Sequence, residues 1–202
     1  MNEAWSKLNK TMQTQIKKQE TYNLGIMTLF DLRNQLMETL ISLKEELNRE
    51  DFNAIPFINA KGYHSKTIAY SIWHIFRIED IVVHTLIHSP VITTGNELVE
   101  EGIVDFSKQL NLKELYSYIF EVKKSTETII SHLSYDELKM KIPEERKERL
   151  KLLNVVSDDE NAIWLIDYWG NKDIRGLIQM PFSRHWIMHI EAILRIKNKL
   201  HS

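Results

Sequence analysis

The chain has no cysteine among its 202 residues. That excludes a disulfide framework, a zinc ribbon, a cysteine nucleophile and an iron–sulfur cluster held by this chain. Thiol chemistry here would need a thiol brought by a small-molecule cosubstrate. Glycine (6) and proline (4) are scarce, and so few turn signals over this length favour long helices over many short strands. No apolar run reaches the ~18 residues of a membrane-spanning helix, and the polar stretch from Met1 to Gln19 lacks the apolar centre of a signal peptide. A cytoplasmic location is the resulting expectation. Charge of one sign is missing too: 26 Lys+Arg against 28 Asp+Glu leave a net charge of -2. That balance supplies no field to steer nucleic acid or an anionic membrane, and neither partner is expected. The basic clusters at Lys17-Lys18, Lys123-Lys124 and Glu144 to Lys151 are interleaved with acids or apolar residues and read as solvated helix faces.

Several reaction classes lack their motifs. There is no Gly-rich phosphate loop, since Gly170 to Gly176 has neither the spacing nor a preceding strand, and no Gly-x-Ser-x-Gly. The carboxylate pairs Glu45-Glu46 and Asp158-Asp159 are adjacent in sequence and point apart. The absence of Glu-x-x-His argues against a di-iron carboxylate bundle.

What is present is 43% hydrophobic residues, enough for one sizeable core, and the expectation is a single helical domain over 1–202. Trp5, Leu8, Met12 and Ile16 form a narrow stripe that predicts a short N-terminal helix within 1–20. The bundle proper is expected over 21–200. A first long helix carries Leu24, Met27, Leu29, Leu32, Leu36, Leu40, Leu43 and Leu47, ended by the Asp51 to Gly62 stretch. A second is expected from Ser65, as N-cap, to His88, stopped by Ser89-Pro90. It is apolar nearly all round, which places it at the centre of a core or at a subunit interface, so a homodimer is expected. A loop through Thr93-Thr94-Gly95 and Gly102 follows. A third helix opens at Asn111 with Glu114 positioned to return the cap. Ser134-x-x-Glu137 and Ser157-x-x-Glu160 announce short helices, the later one running from Ala162 to Trp169 and ended by Gly170. Asp173 is placed to cap the last long helix, which Pro181 should kink or open. The long connection before that helix permits a crossover. The fold class is therefore all-α.

Histidines carry the chemical signal. His185 and His189 sit four residues apart on the last helix, ~40° past one full turn and ~6 Å of rise, so both imidazoles leave one face and can converge on one ion. Among Trp186, Ile187 and Met188 they lie close to the core, where a buried imidazole wants partners for both ring nitrogens. His74 sits mid-way along the second helix, either as a hydrogen-bonded core histidine or as a ligand facing the last helix. His84 and His88 repeat the four-residue spacing, but His84 lies ten residues past His74, ~15 Å along the axis, and cannot share its ion. Near a helix end that second pair reads as cationic and exposed. His64, His132 and His201 read as surface residues.

The segment Ser71-Ile72-Trp73-His74-Ile75-Phe76-Arg77-Ile78-Glu79-Asp80, together with Asp173 to His189 and its His185-Trp186-Ile187-Met188-His189, resembles the DinB-like (YfiT-like) family of metal-dependent enzymes. The likeness runs from about Leu24 to Leu200 and departs after His189, where Ile190-Glu191 stands in place of the Gly-Gln of many members. The resemblance implies an up-down-down-up four-helix bundle with one ligand histidine from the second helix and two from the last, which are His74, His185 and His189. It also implies a divalent ion, zinc or nickel first and iron or manganese after them, with water in the open positions. Some relatives are S-transferases or isomerases that use a low-molecular-weight thiol, and cytoplasmic homodimers are common.

These residues support a metal-dependent transferase or hydrolase in which a metal-bound water or thiolate reacts with a small-molecule substrate. Glu79, Asp80, Arg184 and Glu191 are candidates for supporting the ligands or touching substrate, with surface salt bridges as the alternative. A second hypothesis is a binding or stress-response protein whose metal is structural or absent. A third is a helical interaction module whose three histidines are core residues.

Overall fold

Short polar side chains start α-helices at Asn2, Asn48, Thr67, Asn111 and Asp173, each accepting backbone N–H groups that the first turn leaves unpaired. Asn2 accepts from Ala4 and Trp5 and opens α1, Glu3–Gln15. After it comes α2, Tyr22–Glu46, whose Leu29, Leu32, Leu36, Leu40 and Leu43 are buried at helical spacing. The two pack side by side. Gly25 permits this, because a Cβ there would sit 2.6 Å from Ile16 Cγ2 and 2.9 Å from the Ile16 backbone nitrogen. A reciprocal box between Asn48 and Asp51 then opens a short helix that the sequence reading passed over, α3, Arg49–Asn53.

The next helix is α4, Ile68–Ile81, continued by a π-helical stretch over Val82–Ile87. The expected N-cap was Ser65, but Thr67 holds that role and accepts the Tyr70 N–H at 3.0 Å. Ser65 falls in a 3-10 turn, where its hydroxyl donates to the Gly62 carbonyl instead. The computed structural model describes residues 2–58, 60, 62–87 and 100–202. His88, the Ser89-Pro90 stop and the Thr93-Thr94-Gly95 loop lie outside the described residues. Gly102 was expected in that loop and belongs to a helix, α5, Glu100–Gln109. Ile103 and Ser107 are buried beneath it, the Ser107 and Thr67 hydroxyls are 2.6 Å apart, and Arg49 caps its end through the Lys108 carbonyl at 2.7 Å.

Asn111 opens α6, Leu112–Ser131, through the Lys113 and Glu114 N–H groups. Ser134 and Glu137 form their expected mutual bonds around a 3-10 turn. The charged stretch holds α7, Glu144–Leu152, and then α8, Trp164–Gly170, begins two residues later than expected. Asp173 caps α9, Ile174–Gln179, by accepting the Gly176 N–H at 2.7 Å. Pro181 marks an interruption of the expected last helix and not the first turn of the helix that follows. It lies in a π-helical stretch, Met180–Arg184, that joins α9 to α10, His185–Leu200. Proline has no N–H to give, and side chains bond to carbonyls around it: Ser183 donates to the Ile178 carbonyl at 3.1 Å and Arg33 to the Phe182 carbonyl at 3.0 Å.

The described chain is all helical, with one isolated bridge between Lys141 and Asp173. None of its described helices is long and apolar enough to cross a membrane. The centre is α4, which packs against α3, α5, α6 and α10; every α4 residue except Trp73 is buried. The apolar circumference that suggested a second subunit is thus covered within one chain.

Buried apolar residues fall into two clusters. One holds Leu29, Ile78 and Phe182, the other Leu32, Phe76 and Trp186. A polar layer lies between them. Arg33 is 0% exposed and donates to both oxygens of Glu79, also fully buried, at 2.8 Å each. It reaches Glu127 on α6 at 3.0 Å, and its guanidinium sits 4.3 Å over the Trp186 ring. Trp186 in turn donates its indole N–H to Glu79 at 2.8 Å. Removing one member of a buried ion pair strands the other, at about 3–5 kcal/mol. Urea unfolding of Arg33→Met should therefore show a loss of that order. Arg33→Met combined with Glu79→Gln, which leaves no stranded charge and keeps an acceptor for Trp186, should lose clearly less.

Candidate metal centre

Helix periodicity puts His185 and His189 on one side of α10, and the packing of α10 on α4 turns that side to His74. The ring centroids are 5.4 Å apart for His74 and His185, 5.1 Å for His74 and His189, and 4.5 Å for His185 and His189. One ring nitrogen from each lies within 4.8 Å of the other two. All three side chains are buried, at 7%, 8% and 3% exposure.

The rotation of α10 that achieves this is set one residue away. Trp186 is clamped by Glu79 and packs on Phe76 with centroids 4.4 Å apart. Two tyrosines hold the imidazole rings. Tyr70 stacks on His74 at 5.5 Å and 12°. Tyr63 meets His189 edge-on at 4.5 Å, delivered by the turn at Gly62, whose φ of 100° suits glycine.

Burial, and then the neighbouring imidazoles, push His185 and His189 well below the ordinary histidine range, so both are neutral. Nδ1 of His185 and both nitrogens of His189 are buried without a hydrogen-bond partner among the described residues. Buried polar atoms are normally paired. Three converging imidazoles, two of them neutral and with orphaned nitrogens, fit a divalent ion, which would take one nitrogen from each. The group opens onto a cavity of about 540 Å³, walled by Tyr63, Tyr70, Trp164, Tyr168 and Trp169 with Lys66 among the lining residues.

The four supporting candidates lie elsewhere, and none lines the cavity. Glu79 belongs to the Arg33 layer and acts on the histidines through Trp186. Asp80 faces another way: Arg77 donates to it at 2.9 Å and Tyr118 at 2.7 Å. His84 Nδ1 lies 2.7 Å from Asp80 and its Nε2 2.8 Å from the Ser125 hydroxyl, so both nitrogens of His84 are engaged. His88, its proposed companion, lies outside the described residues. Arg184 is exposed beside His185, and its charge opposes the rise that burial imposes on Tyr63. Glu191 accepts the backbone N–H of Asn2 at 2.5 Å, tying α10 to the start of α1.

Sequence reasoning missed Arg33 and the aromatic wall. Arg33 had a readable signal, a charge on the α2 stripe between Leu29 and Leu36. Tyr63 lies far along the chain from Trp164 and Tyr168, which share α8, and the three carried none. In comparisons with known proteins, no family model, curated protein or solved structure matched this chain.

The titrations predict a pH response. His185 and His189 have folded pKa values below the unfolded value of ~6.5, so the unfolded chain takes up protons that the fold refuses. Their contribution is complete above that value and lost as pH falls. His84 has the opposite sign: hydrogen bonding to Asp80 raises it, so its contribution is present below the unfolded value and fades as pH rises through the folded one. In chelator, Tm should fall as pH drops from about 7.5 to 5.5. His84→Gln should steepen that fall, and His185→Phe should flatten it.

Proposed function

We propose that this chain is a metal-dependent enzyme of the DinB-like kind. Its bundle would be formed by α2, α4, α6 and α10, with residues 132–173 as the crossover. The observation that carries the reading is the meeting of three buried imidazoles at a cavity wall, with those of His185 and His189 holding nitrogens unpartnered among the described residues. His74, His185 and His189 would hold the ion. When bound, a divalent ion supplies Lewis acidity there, enough to acidify a water or a small-molecule thiol near neutral pH. The residues around it have separate tasks. Trp186 and Glu79 fix the direction of the last-helix ligands, Tyr63 and Tyr70 hold two of the rings, and the aromatic wall keeps bulk water from the reacting groups.

The histidine group contains no fourth His, Asp or Glu among the described residues. Structural sites are closed by four protein ligands, whereas catalytic sites keep a position open. That favours turnover over a purely structural ion. Transfer to or from a thiol, or hydrolysis, are the reaction types such an open site supports, with the thiol coming from outside a cysteine-free chain. The family resemblance is the support for a homodimer, since the surface of α4 no longer argues for one.

The test is elemental analysis of untagged protein equilibrated with zinc or nickel. One ion per chain is expected, with thermal stabilisation of about 2.7 kcal/mol when free metal stands near a hundred times Kd. His74→Ala and His185→Ala should each lose the ion. Full occupancy in either variant refutes the triad.

A further inference from the structure

Neither Asp80 nor His84 lines the histidine cavity, and both belong to a separate group that reaches α6. His84 stands one turn after Asp80, where α4 passes into its π-helical stretch. Its Nδ1 is 2.7 Å from Oδ1 of Asp80 and 3.1 Å from the Asp80 carbonyl oxygen. Its Nε2 is 2.8 Å from Oγ of Ser125. These contacts decide where the proton sits. A carboxylate and a carbonyl oxygen can only accept, so Nδ1 is the nitrogen that carries hydrogen. In the neutral ring Nε2 then holds a lone pair, and the Ser125 hydroxyl is the donor toward it. The carboxylate is itself held in place. Oδ2 of Asp80 accepts from Arg77 at 2.9 Å and from Tyr118 at 2.7 Å, which leaves Oδ1 for His84. A hydroxyl bonded to a base, with the base oriented by a third group, is the arrangement that activates a serine.

Ser125 differs from its neighbours on α6. Helical hydroxyls commonly bond back to a carbonyl of the preceding turn, and Ser117 and Thr128 do so, to Lys113 at 3.1 Å and Lys124 at 2.9 Å. The Ser125 hydroxyl is turned across to α4 instead. Ser125 is half-buried and the His84 side chain is 21% exposed, so the pair is not sealed from solvent. The backbone N–H of Ser125 lies in the interior of α6 and belongs to the helix ladder, which commits it elsewhere than to an oxyanion. The chemistry open to the pair is therefore attack on an acyl carbon that already carries a good leaving group.

We propose that Ser125 is a nucleophile for activated acyl donors, with His84 as its base and Asp80 as the positioning residue that orients the base. Oγ bonds to the acyl carbon as the bond from that carbon to the leaving group breaks. The Oγ proton passes to Nε2 of His84 and from there to the leaving group or to water, and the product is an acyl-serine ester on α6. None of these steps uses the three-histidine group, so the site stands or falls independently of the metal centre.

Acetylation of the full-length protein by para-nitrophenyl acetate tests this, at about pH 8.5, above the ordinary histidine range, with peptide mass mapping after an acid quench. Ser125 should acquire acetyl at least about a hundredfold faster than Ser117 and Thr128, which are the more exposed hydroxyls of the same helix. His84→Gln should slow Ser125 by about the same factor with the helical circular dichroism unchanged. If that variant does not fold, the comparison of the three hydroxyls in the wild type decides. Asp80→Asn offers its amide oxygen to Arg77 and Tyr118 and turns its NH2 toward His84. Long-range proton–nitrogen NMR should therefore find the His84 proton on Nδ1 in the wild type and on Nε2 in Asp80→Asn, with Ser125 acetylation slowed in the variant. Equal labelling of the three hydroxyls, an unchanged rate at Ser125 in folded His84→Gln, or a wild-type proton on Nε2 overturns the proposal.

Discussion

The fully buried ion pair between Arg33 and Glu79 is the constraint on which the rest of this structure depends. Each carboxylate oxygen takes one guanidinium N–H at 2.8 Å, and two further donors of Arg33 reach Glu127 and the Phe182 carbonyl. One side chain on α2 thereby addresses α4, α6 and the π-helical entry to α10. Such a pair adds little net stability, because desolvating both charges consumes most of what their attraction returns. Its effect is on register. Apolar clusters lie on both sides of it, and leucine against isoleucine would tolerate sliding or rotation. A charged pair that strands its partner when displaced does not.

That register reaches the histidines through Trp186. Its indole N–H shares the Glu79 carboxylate with Arg33, which sets the rotation of α10 and with it the direction of His185 and His189. The π-helical stretch before α10 belongs to the same device, since its Phe182 carbonyl accepts from Arg33. The histidine site then carries the opposite kind of cost. The nitrogens of His185 and His189 are buried, neutral and partly unpaired among the described residues, a local penalty that persists because the layer beneath over-determines where those side chains go. The nearby carboxylates of Glu79 and Asp80 are drawn into that layer and into the Asp80–His84 cluster, and no carboxylate is among the described residues that line the cavity.

The parts of this fold that were legible in sequence are the ones decided within a few residues. Asn111 and Asp173 cap as read, Ser134 and Glu137 pair as read, and His185 and His189 share a helix face because four residues return nearly to the same side. The misreadings have a common origin. Ser65 and Thr67 are both good caps by chemistry, and the choice fell to Thr67 because α5 supplies Ser107 to its hydroxyl. Gly102 reads as a loop residue until Ile103 and Ser107 are seen buried beside it. Glu79 and Asp80 are adjacent, so a helix sends them in different directions, and only the neighbouring helices say which meets Arg33 and which meets His84.

The sequence by itself determined an all-helical chain, the helix starts at Asn111 and Asp173, and the convergence of two histidines, because those follow from backbone hydrogen bonding and helical period over short distances. It also left a charge on the buried stripe of α2 without naming its partner. Only the tertiary structure decided that His74 joins the pair, that Arg33 meets Glu79 across 46 positions of chain, and that aromatic rings from separate segments form one wall. Those contacts depend on which faces of distant helices meet, and in a core of interchangeable aliphatic side chains that choice rests on a few buried polar groups, whose partners no local pattern names.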